Sequence, residues 1–395
     1  MKRFVLVAGE SSGDLLGADL ILALKKIFPQ AEFAGIGGPK MIEAGLKSWF
    51  DFSILSVMGI SKVLLKFPQL FRMYWQLIRK IKKFRPHYYI GIDASDFNLR
   101  VEQKLRSLNQ SRKDFVSLKI IHYVSPSIWA WRYHRIFAFK QATDLMLCLF
   151  PFEEKRYQEV GHPAAFVGHP LANQIPLGFS HSDQIEARES FHLPLNIPLM
   201  AILPGSRAQE VRRLLPVFLE AFRQVKQVLK KAMGILPVAH ADLWKEIRPF
   251  SEVLKSLGIL CVEGRSAEAL AACDVALVAS GTAALEAVLY KKPTIVAYKT
   301  DVLTYLVGRA LVRLPFIALP NLLALWEHQV YGLIPEFLQS KVTASHLSQA
   351  MLKAWKNLQE DNFEHQDLMN KFENIHRELA LNSAKRAVKA IQALC

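Results

Sequence analysis

Cysteine is scarce in this chain: Cys148, Cys261, Cys273 and Cys395 are the only four in 395 residues. No pair has the spacing of zinc ligands, and a disulfide framework is not expected in so long and cysteine-poor a chain, which fits a reducing compartment. Long apolar runs are missing too. No segment approaches the ~20 apolar residues needed to span a bilayer. The opening MKRFVLVAGESSGD carries a short apolar stretch that stops at Gly9-Glu10, too short for a secretory signal. The expectation is a protein that is soluble or lies on a membrane surface. No short-period repeat occurs. Neither GxxxxGK[ST] nor GxGxxG occurs at a strand-to-helix turn, so neither ATP hydrolysis nor NAD binding is predicted. Acids are few: 35 Asp and Glu against 50 Lys and Arg leave a net charge of +15. That balance points to an anionic partner, whether nucleic acid, an anionic membrane or a phosphorylated substrate.

What is present is half apolar, with 51% hydrophobic residues, enough for a sizeable core and too much for a disordered chain. The length predicts two domains. Short apolar strands alternate with amphipathic helices, the pattern of an α/β fold with doubly wound parallel sheets. Strands are predicted at Phe4–Ala8, Glu32–Ile36, Tyr88–Ile92, Lys119–Val124, Leu145–Leu149 and, weakly, Ala165–Val167. After a polar linker from His169 to about Pro198, a second series is predicted at Leu199–Leu203, Gly234–Val238, Ile259–Glu263, Val275–Ala279 and Thr294–Tyr298. From about Thr343 onward the pattern is helical. Two successive domains facing a cleft is the simplest arrangement.

Ligands of open α/β sheets bind at the carboxyl ends of the strands, where a helix start offers backbone N–H groups and a positive dipole end. Ser280-Gly281-Thr282 follows a predicted strand and opens an alanine-rich helix. Gly281 lets an anion approach, the two hydroxyls add donors, and Glu286 can turn toward ribose hydroxyls. The same three residues would also serve as an ordinary cap. Leu203-Pro204-Gly205-Ser206-Arg207 repeats the arrangement, with Arg207 placed to clasp a diphosphate in two contacts. Two such turns in one domain favour a nucleotide diphosphate.

In the first half, Gly9-Glu10-Ser11-Ser12-Gly13-Asp14 makes another strand-to-helix turn, with room for a ligand or with Ser12 or Asp14 as a cap. Asp93 stands at a predicted strand tip and can accept a proton from an attacking alcohol; a structural acid is the other reading, and capping falls to Asp96 or Asn98. His122 competes as a general base, although a strand histidine is more often simply hydrogen-bonded. Trp129 is a sugar or acyl contact or a packing residue. From Val57 to Arg85 the chain is basic and aromatic, with no acid between Asp51 and Asp93. Phe67, Leu70, Phe71, Tyr74, Ile78 and Ile81 share a helical face, surrounded by Lys62, Lys66, Arg72, Arg79, Lys80, Lys82, Lys83 and Arg85. This reads as an interfacial membrane helix. A core helix with a solvated basic face is the plainer reading. Nucleic acid is disfavoured as partner because a phosphate-backbone binder gains little from clustered Leu and Ile.

Taken in order, VAGESSGDLLGA, GIGGPKM, VMG, GIDASDFN, IHYVSPSIWAW, LPFE, FVGHPL, LPGSR…EV, ASGTAALEA and LPNLLA resemble the lipid-A-disaccharide synthases, a glycosyltransferase family of the GT-B fold. The resemblance implies an inverting transfer of 2,3-diacylglucosamine from its UDP derivative to 2,3-diacylglucosamine 1-phosphate. The products are a β-1,6-linked disaccharide phosphate and UDP, formed in Gram-negative bacteria on the cytoplasmic face of the inner membrane. It implies Asp93 as base, Arg207 and Asn321 as residues needed for activity, and Ser280, Gly281, Thr282 and Glu286 at the nucleotide. Gly9, Glu10, Ser11, Ser12, Gly13, His122 and Trp129 then belong to the acceptor side. No metal or other cofactor is called for. The domains are expected at 1–172 and 190–367, with a helix at about 370–395 returning to the first. A homodimer exchanging C-terminal elements is a further implication. Two departures stand out: Ser95 replaces a common proline, and Leu325-Trp326-Glu327-His328 follows Ala324 where the family usually continues Gly-Arg-Glu. The rivals are another UDP-sugar enzyme of the same fold, such as an epimerase, and a basic membrane or nucleic-acid adaptor.

Overall fold

The computed structural model describes residues 1–55, 60–112, 118–130, 132–301, 305, 314–326 and 332–394. They form two compact units, Met1–Asn173 with Leu379–Cys395, and Gln174–Glu378.

The first unit is built on β1 (Arg3–Ala8), β2 (Glu32–Ile36), β3 (Lys47–Ser48), β4 (Tyr88–Ile92), β5 (Lys119–Tyr123), β6 (Leu145–Cys148) and β7 (Ala164–Phe166). All pairings are parallel, in the order β3-β2-β1-β4-β5-β6-β7. The order reverses between β1 and β4, so the loops after these two strands flank the switch point at which such sheets bind ligands. β1, β4 and β5 are buried along almost their whole length, because parallel sheets carry helices on both faces. Every strand expected from an apolar run is present within a residue or so. The unforeseen β3 has two residues and no apolar run to announce it.

The helix Ser11–Ile27 starts directly beyond β1. Asp14 lies within it, 4% exposed, yet does not cap it. Its carboxylate accepts from the Lys40 and Met41 amides, both at 3.0 Å, and so caps the neighbouring helix Pro39–Glu43. The chain re-enters this unit at Leu379, not near residue 370. There the Leu379 carbonyl accepts from the His169 amide at 2.9 Å, and Asn173 donates to Ser383 Oγ at 2.9 Å. The last helix, Ser383–Gln392, buries Ala387, Val388 and Ile391.

The second unit holds β8 (Leu199–Leu203), β9 (Met233–Val238), β10 (Ile259–Glu263), β11 (Val275–Ala279), β12 (Thr294–Tyr298) and β13 (Glu336–Leu338). Their order is β10-β9-β8-β11-β12-β13, again all parallel. The expected linker is a correction. Residues 174–189 belong to this unit, and His181–Glu189 is helical. Arg188, 4% exposed, donates to the carbonyls of Ala272 (3.0 Å), Leu195 (2.6 Å) and Ile197 (3.1 Å) and to Asp274 (2.7 Å). Asp274 also accepts from the Leu199 amide at 2.8 Å. A polar composition concealed a buried ion pair that ties this segment to the starts of β8 and β11.

Candidate active site

In the second unit, β8 and β11 are neighbours, and each runs at its carboxyl end into one of the two small-residue turns. Those turns open on one cavity of about 320 Å³. Its lining includes Gly205, Ser206, Arg207 and Glu210 from the first turn, and Ser280, Gly281, Thr282 and Glu286 from the second. No side chain caps the helix Thr282–Leu289. A Cβ built on Gly281 would meet nothing within 4 Å. The fold does not demand glycine there; any side chain would simply enter the cavity.

The other helix start is arranged differently. Glu210 Oε2 accepts from the Ser206 amide at 3.2 Å and the Arg207 amide at 3.3 Å, while Oε1 receives Arg207 Nη1 at 3.3 Å. The helix Ala208–Val228 is thus capped by its own carboxylate. Gly205 has φ +119°, and a Cβ there would come within 2.5 Å of Glu210 Oε2, so only glycine lets the carboxylate sit over the turn. The sequence reading assigned Glu210 no part in the site; its spacing three residues after Arg207 was the available signal. Half-buried Glu286 has its carboxyl pushed up to about 7 by burial and then by the nearby charge of Glu268.

Asn321, expected at the nucleotide-sugar site, is placed behind it. It is 0% exposed and is not part of the cavity lining. Its Oδ1 accepts from the Ile334 amide at 2.8 Å, and its Nδ2 donates to the Ile334 carbonyl at 3.0 Å and Glu336 at 3.1 Å. It holds the chain entering β13. Of the divergent segment after Ala324, Glu327 and His328 lie outside the described residues.

In the first unit, Asp93 is half-buried at the tip of β4. Asp93 and Ala94 have φ of +53° and +41°, a left-handed pair that costs roughly 1–2 kcal/mol at a residue such as alanine. Backbone strain of this kind concentrates at functional sites. Asp93 Oδ2 accepts from Ser12 Oγ at 3.4 Å and Oδ1 from the Ala94 amide at 2.8 Å. Fully buried Asn98 donates Nδ2 to the carbonyls of Asp93 (2.8 Å) and Val7 (3.2 Å) and accepts from Tyr89 at 2.9 Å. Asn98 therefore ties the Asp93 turn to β1 instead of capping a helix. Ser11 and Ser12 are exposed beside this turn and Glu10 is half-buried. Gly9 makes room for it, since a Cβ there would come within 2.7 Å of Ala94 Cβ. Gly13 is buried and faces Ala8 and Ile92, a packing position.

Of two expected acceptor residues, His122 is drawn inward and Trp129 is half-buried. His122 is 0% exposed, with Nδ1 2.7 Å from Glu102 Oε1, Nε2 3.4 Å from Ser95 Oγ and its ring against Phe139. Burial removes it as a rival base reaching substrate, and Ser95 supplies a hydroxyl that proline would not. Trp129 Nε1 donates to Glu153 at 3.1 Å, and its ring meets Phe152 edge-on. Burial pushes the Glu153 carboxyl up to about 8, although Trp129 and the Phe150 and Leu149 amides oppose the shift.

The basic helix spans Ile60–Phe84, and its faces differ from the expectation. Met73, Leu77, Ile78 and Ile81 are core residues, and Leu70 and Tyr74 pack against that core. Among the described residues of this helix the exposed aromatics are Phe71, 56% exposed, and Trp75, 41%, a residue the sequence reading passed over. Their rings meet edge-on, with centroids 6.1 Å apart. Arg72, Arg79, Lys80 and Lys83 are exposed and Lys82 is half-buried. Lys80 lies over the rings of Trp49 and Phe50. The side chain of Phe67 lies outside the described residues. Among the described residues no helix is long and apolar enough to cross a membrane.

Two all-parallel doubly wound sheets are the GT-B architecture, shared by glycosyltransferases and sugar-nucleotide epimerases. The likeness extends over whole chains in solved structures. An Anabaena protein in complex with UDP and glucose is 12% identical with TM-score 0.55, covering 100% of this chain and 99% of that one. UDP-GlcNAc 2-epimerase from Neisseria meningitidis, bound to UDP-GlcNAc, is 12% identical with TM-score 0.58, covering 100% of both. At such identities the fold alone is shared. Sequence narrows the class. Residues 4–391 match the lipid-A-disaccharide synthetase family. Lipid-A-disaccharide synthase of Azotobacter vinelandii is 43% identical over 394 residues, 99% of this chain and 98% of that protein. The namesake from a Pseudomonas aeruginosa strain is equally similar over the same length. The chain belongs to the lipid-A-disaccharide synthetase family.

Proposed function

We propose that this protein joins two acylated glucosamines. It would transfer 2,3-diacylglucosamine from its UDP derivative to the 6-hydroxyl of 2,3-diacylglucosamine 1-phosphate, with inversion. The observation that carries this reading, beyond family membership, is the single cavity shared by Arg207 and the uncapped helix start at Gly281.

The chemistry follows from the donors. The Gly281 turn, the Ser280 and Thr282 hydroxyls and the Arg207 guanidinium stabilise the charge that grows on the departing diphosphate. Glu286 binds the ribose hydroxyls. Asp93 accepts the proton of the acceptor hydroxyl as the new C–O bond forms and the bond from the anomeric carbon to the diphosphate breaks, its electron pair leaving on UDP. The left-handed turn that Asn98 clamps fixes the main chain beneath the Asp93 carboxylate. Asn321 serves the site by shaping the chain that enters β13. Phe71 and Trp75, with Arg72, Arg79, Lys80, Lys82 and Lys83, would rest on the anionic inner-membrane surface from which the lipid substrates come. Two copies exchanging C-terminal elements would form the working enzyme.

The test is incubation with both lipid substrates, with UDP and the disaccharide phosphate measured together. UDP appearing in step with disaccharide supports the transfer. UDP release without need of the acceptor, or epimerised donor, supports the other GT-B chemistries instead. Sedimentation analysis distinguishes one copy from two.

A further inference from the structure

Two helix starts reach the same cavity, and only one is open to a ligand. At the Ala208–Val228 helix the carboxylate of Glu210 already occupies the anion position, bound to the Ser206 and Arg207 amides. That leaves a diphosphate the uncapped start at Thr282 and the Arg207 side chain. Among the described residues that line it, Arg207 is the one cation and Glu210 and Glu286 are the two acids. A negative charge thus stands, by construction, beside a site for a more negative ligand. Its side chain is 24% exposed while that of Arg207 is 66% exposed, so the arginine has room to move to a ligand and the acid stays with the turn.

We propose that Glu210 sets the balance between donor and product, weakening the hold on UDP more than the hold on the sugar nucleotide. The inference rests on the reading of this cavity as the diphosphate site. A UDP-sugar carries two negative charges on its diphosphate. Cleavage of the glycosidic bond leaves the electron pair on the terminal phosphate, and UDP carries about three above its last ionisation near pH 6. A fixed carboxylate repels each charge, so the product is disfavoured by the extra one. Glu210 also holds Arg207 until a diphosphate competes for it. Its capping duty and its repulsion are separable, because a glutamine at this position keeps an acceptor for the two amides and loses the charge.

The test is calorimetric titration at about pH 8 with UDP and with UDP-N-acetylglucosamine as donor probe, on wild-type protein and Glu210→Gln. The variant is expected to bind UDP roughly tenfold tighter and the sugar nucleotide only about threefold tighter, with a difference that shrinks in high salt. Equal tightening of both, or weaker UDP binding, would overturn the proposal. The wild-type protein gives a second measure that needs no variant. UDP should bind within about threefold of the sugar nucleotide despite its extra charge, and a preference for UDP above tenfold would count against the idea. A wild type that binds neither probe removes the diphosphate reading itself, an outcome distinct from both.

Discussion

Ser12 Oγ lies 3.4 Å from Asp93 Oδ2, so a hydroxyl from the turn after β1 donates to a carboxylate at the tip of β4. The two residues are 81 positions apart in the chain and meet because β1 and β4 are hydrogen-bonded neighbours. The contact leaves Asp93 half-buried at the sheet's switch point, with its main chain pinned by Asn98.

Asp93→Asn keeps the shape of the turn and removes the proposed base. Transfer should fall by about 10²–10⁴, with UDP affinity and melting temperature unchanged. Ser12→Ala should cost far less, under about tenfold. Wild-type turnover in Asp93→Asn would end its assignment as base.

Gly281→Val should fold normally, since nothing in the protein stands within 4 Å of the new Cβ. The side chain would fill the space assigned to the proposed diphosphate. UDP titration should show affinity lost by at least tenfold while the thermal melt stays in place. Undiminished binding would move the anion elsewhere.

Glu286 predicts a pH dependence of stability. Its folded-state pKa of about 7 lies above the ordinary 4.5, so the unfolded chain releases this proton first as pH rises. The contribution is fully present below pH 4.5 and is lost as pH climbs through about 7. Glu286→Gln should flatten denaturant-measured stability across that window. An unaltered pH slope would deny the shift. Glu153, raised to about 8, acts with the same sign and remains in the variant as background.

The ion pair of Arg188 with Asp274 should matter to stability and not to chemistry. Asp274→Ala leaves a guanidinium 4% exposed without its counter-charge, a loss of about 3–5 kcal/mol. The melting temperature should drop by several degrees, whereas a shift within about 1 kcal/mol would show that the carbonyls around Arg188 suffice.

The helix Ile60–Phe84 offers a contrast between its two faces. Phe71→Ser with Trp75→Ser should reduce sedimentation with anionic vesicles and leave the melting temperature in place, because both rings are exposed. Leu77→Ala, in the core, should do the reverse, costing about 2–5 kcal/mol of stability. Unchanged vesicle binding in the double variant would oppose the membrane assignment.

The sequence by itself determined the strands, because β4, β8 and β11 are buried runs of apolar residues with turn residues at their ends. It also marked both small-residue turns of the second unit, but only the folded chain shows that Glu210 closes one of them while the helix start at Gly281 stays uncapped. Burial and partnership were decided only in the folded molecule. His122, Asn321, Asp14 and Arg188 read as polar, and polar residues favour the surface; each is buried because a specific partner outside its own element, 13 to 86 positions away, satisfies it. The faces of the basic helix went the same way: periodicity shows that it has an apolar side, but only packing assigns Ile78 to the core and Trp75 to solvent. Local pattern records what a residue prefers, and the contacts that override the preference span the chain.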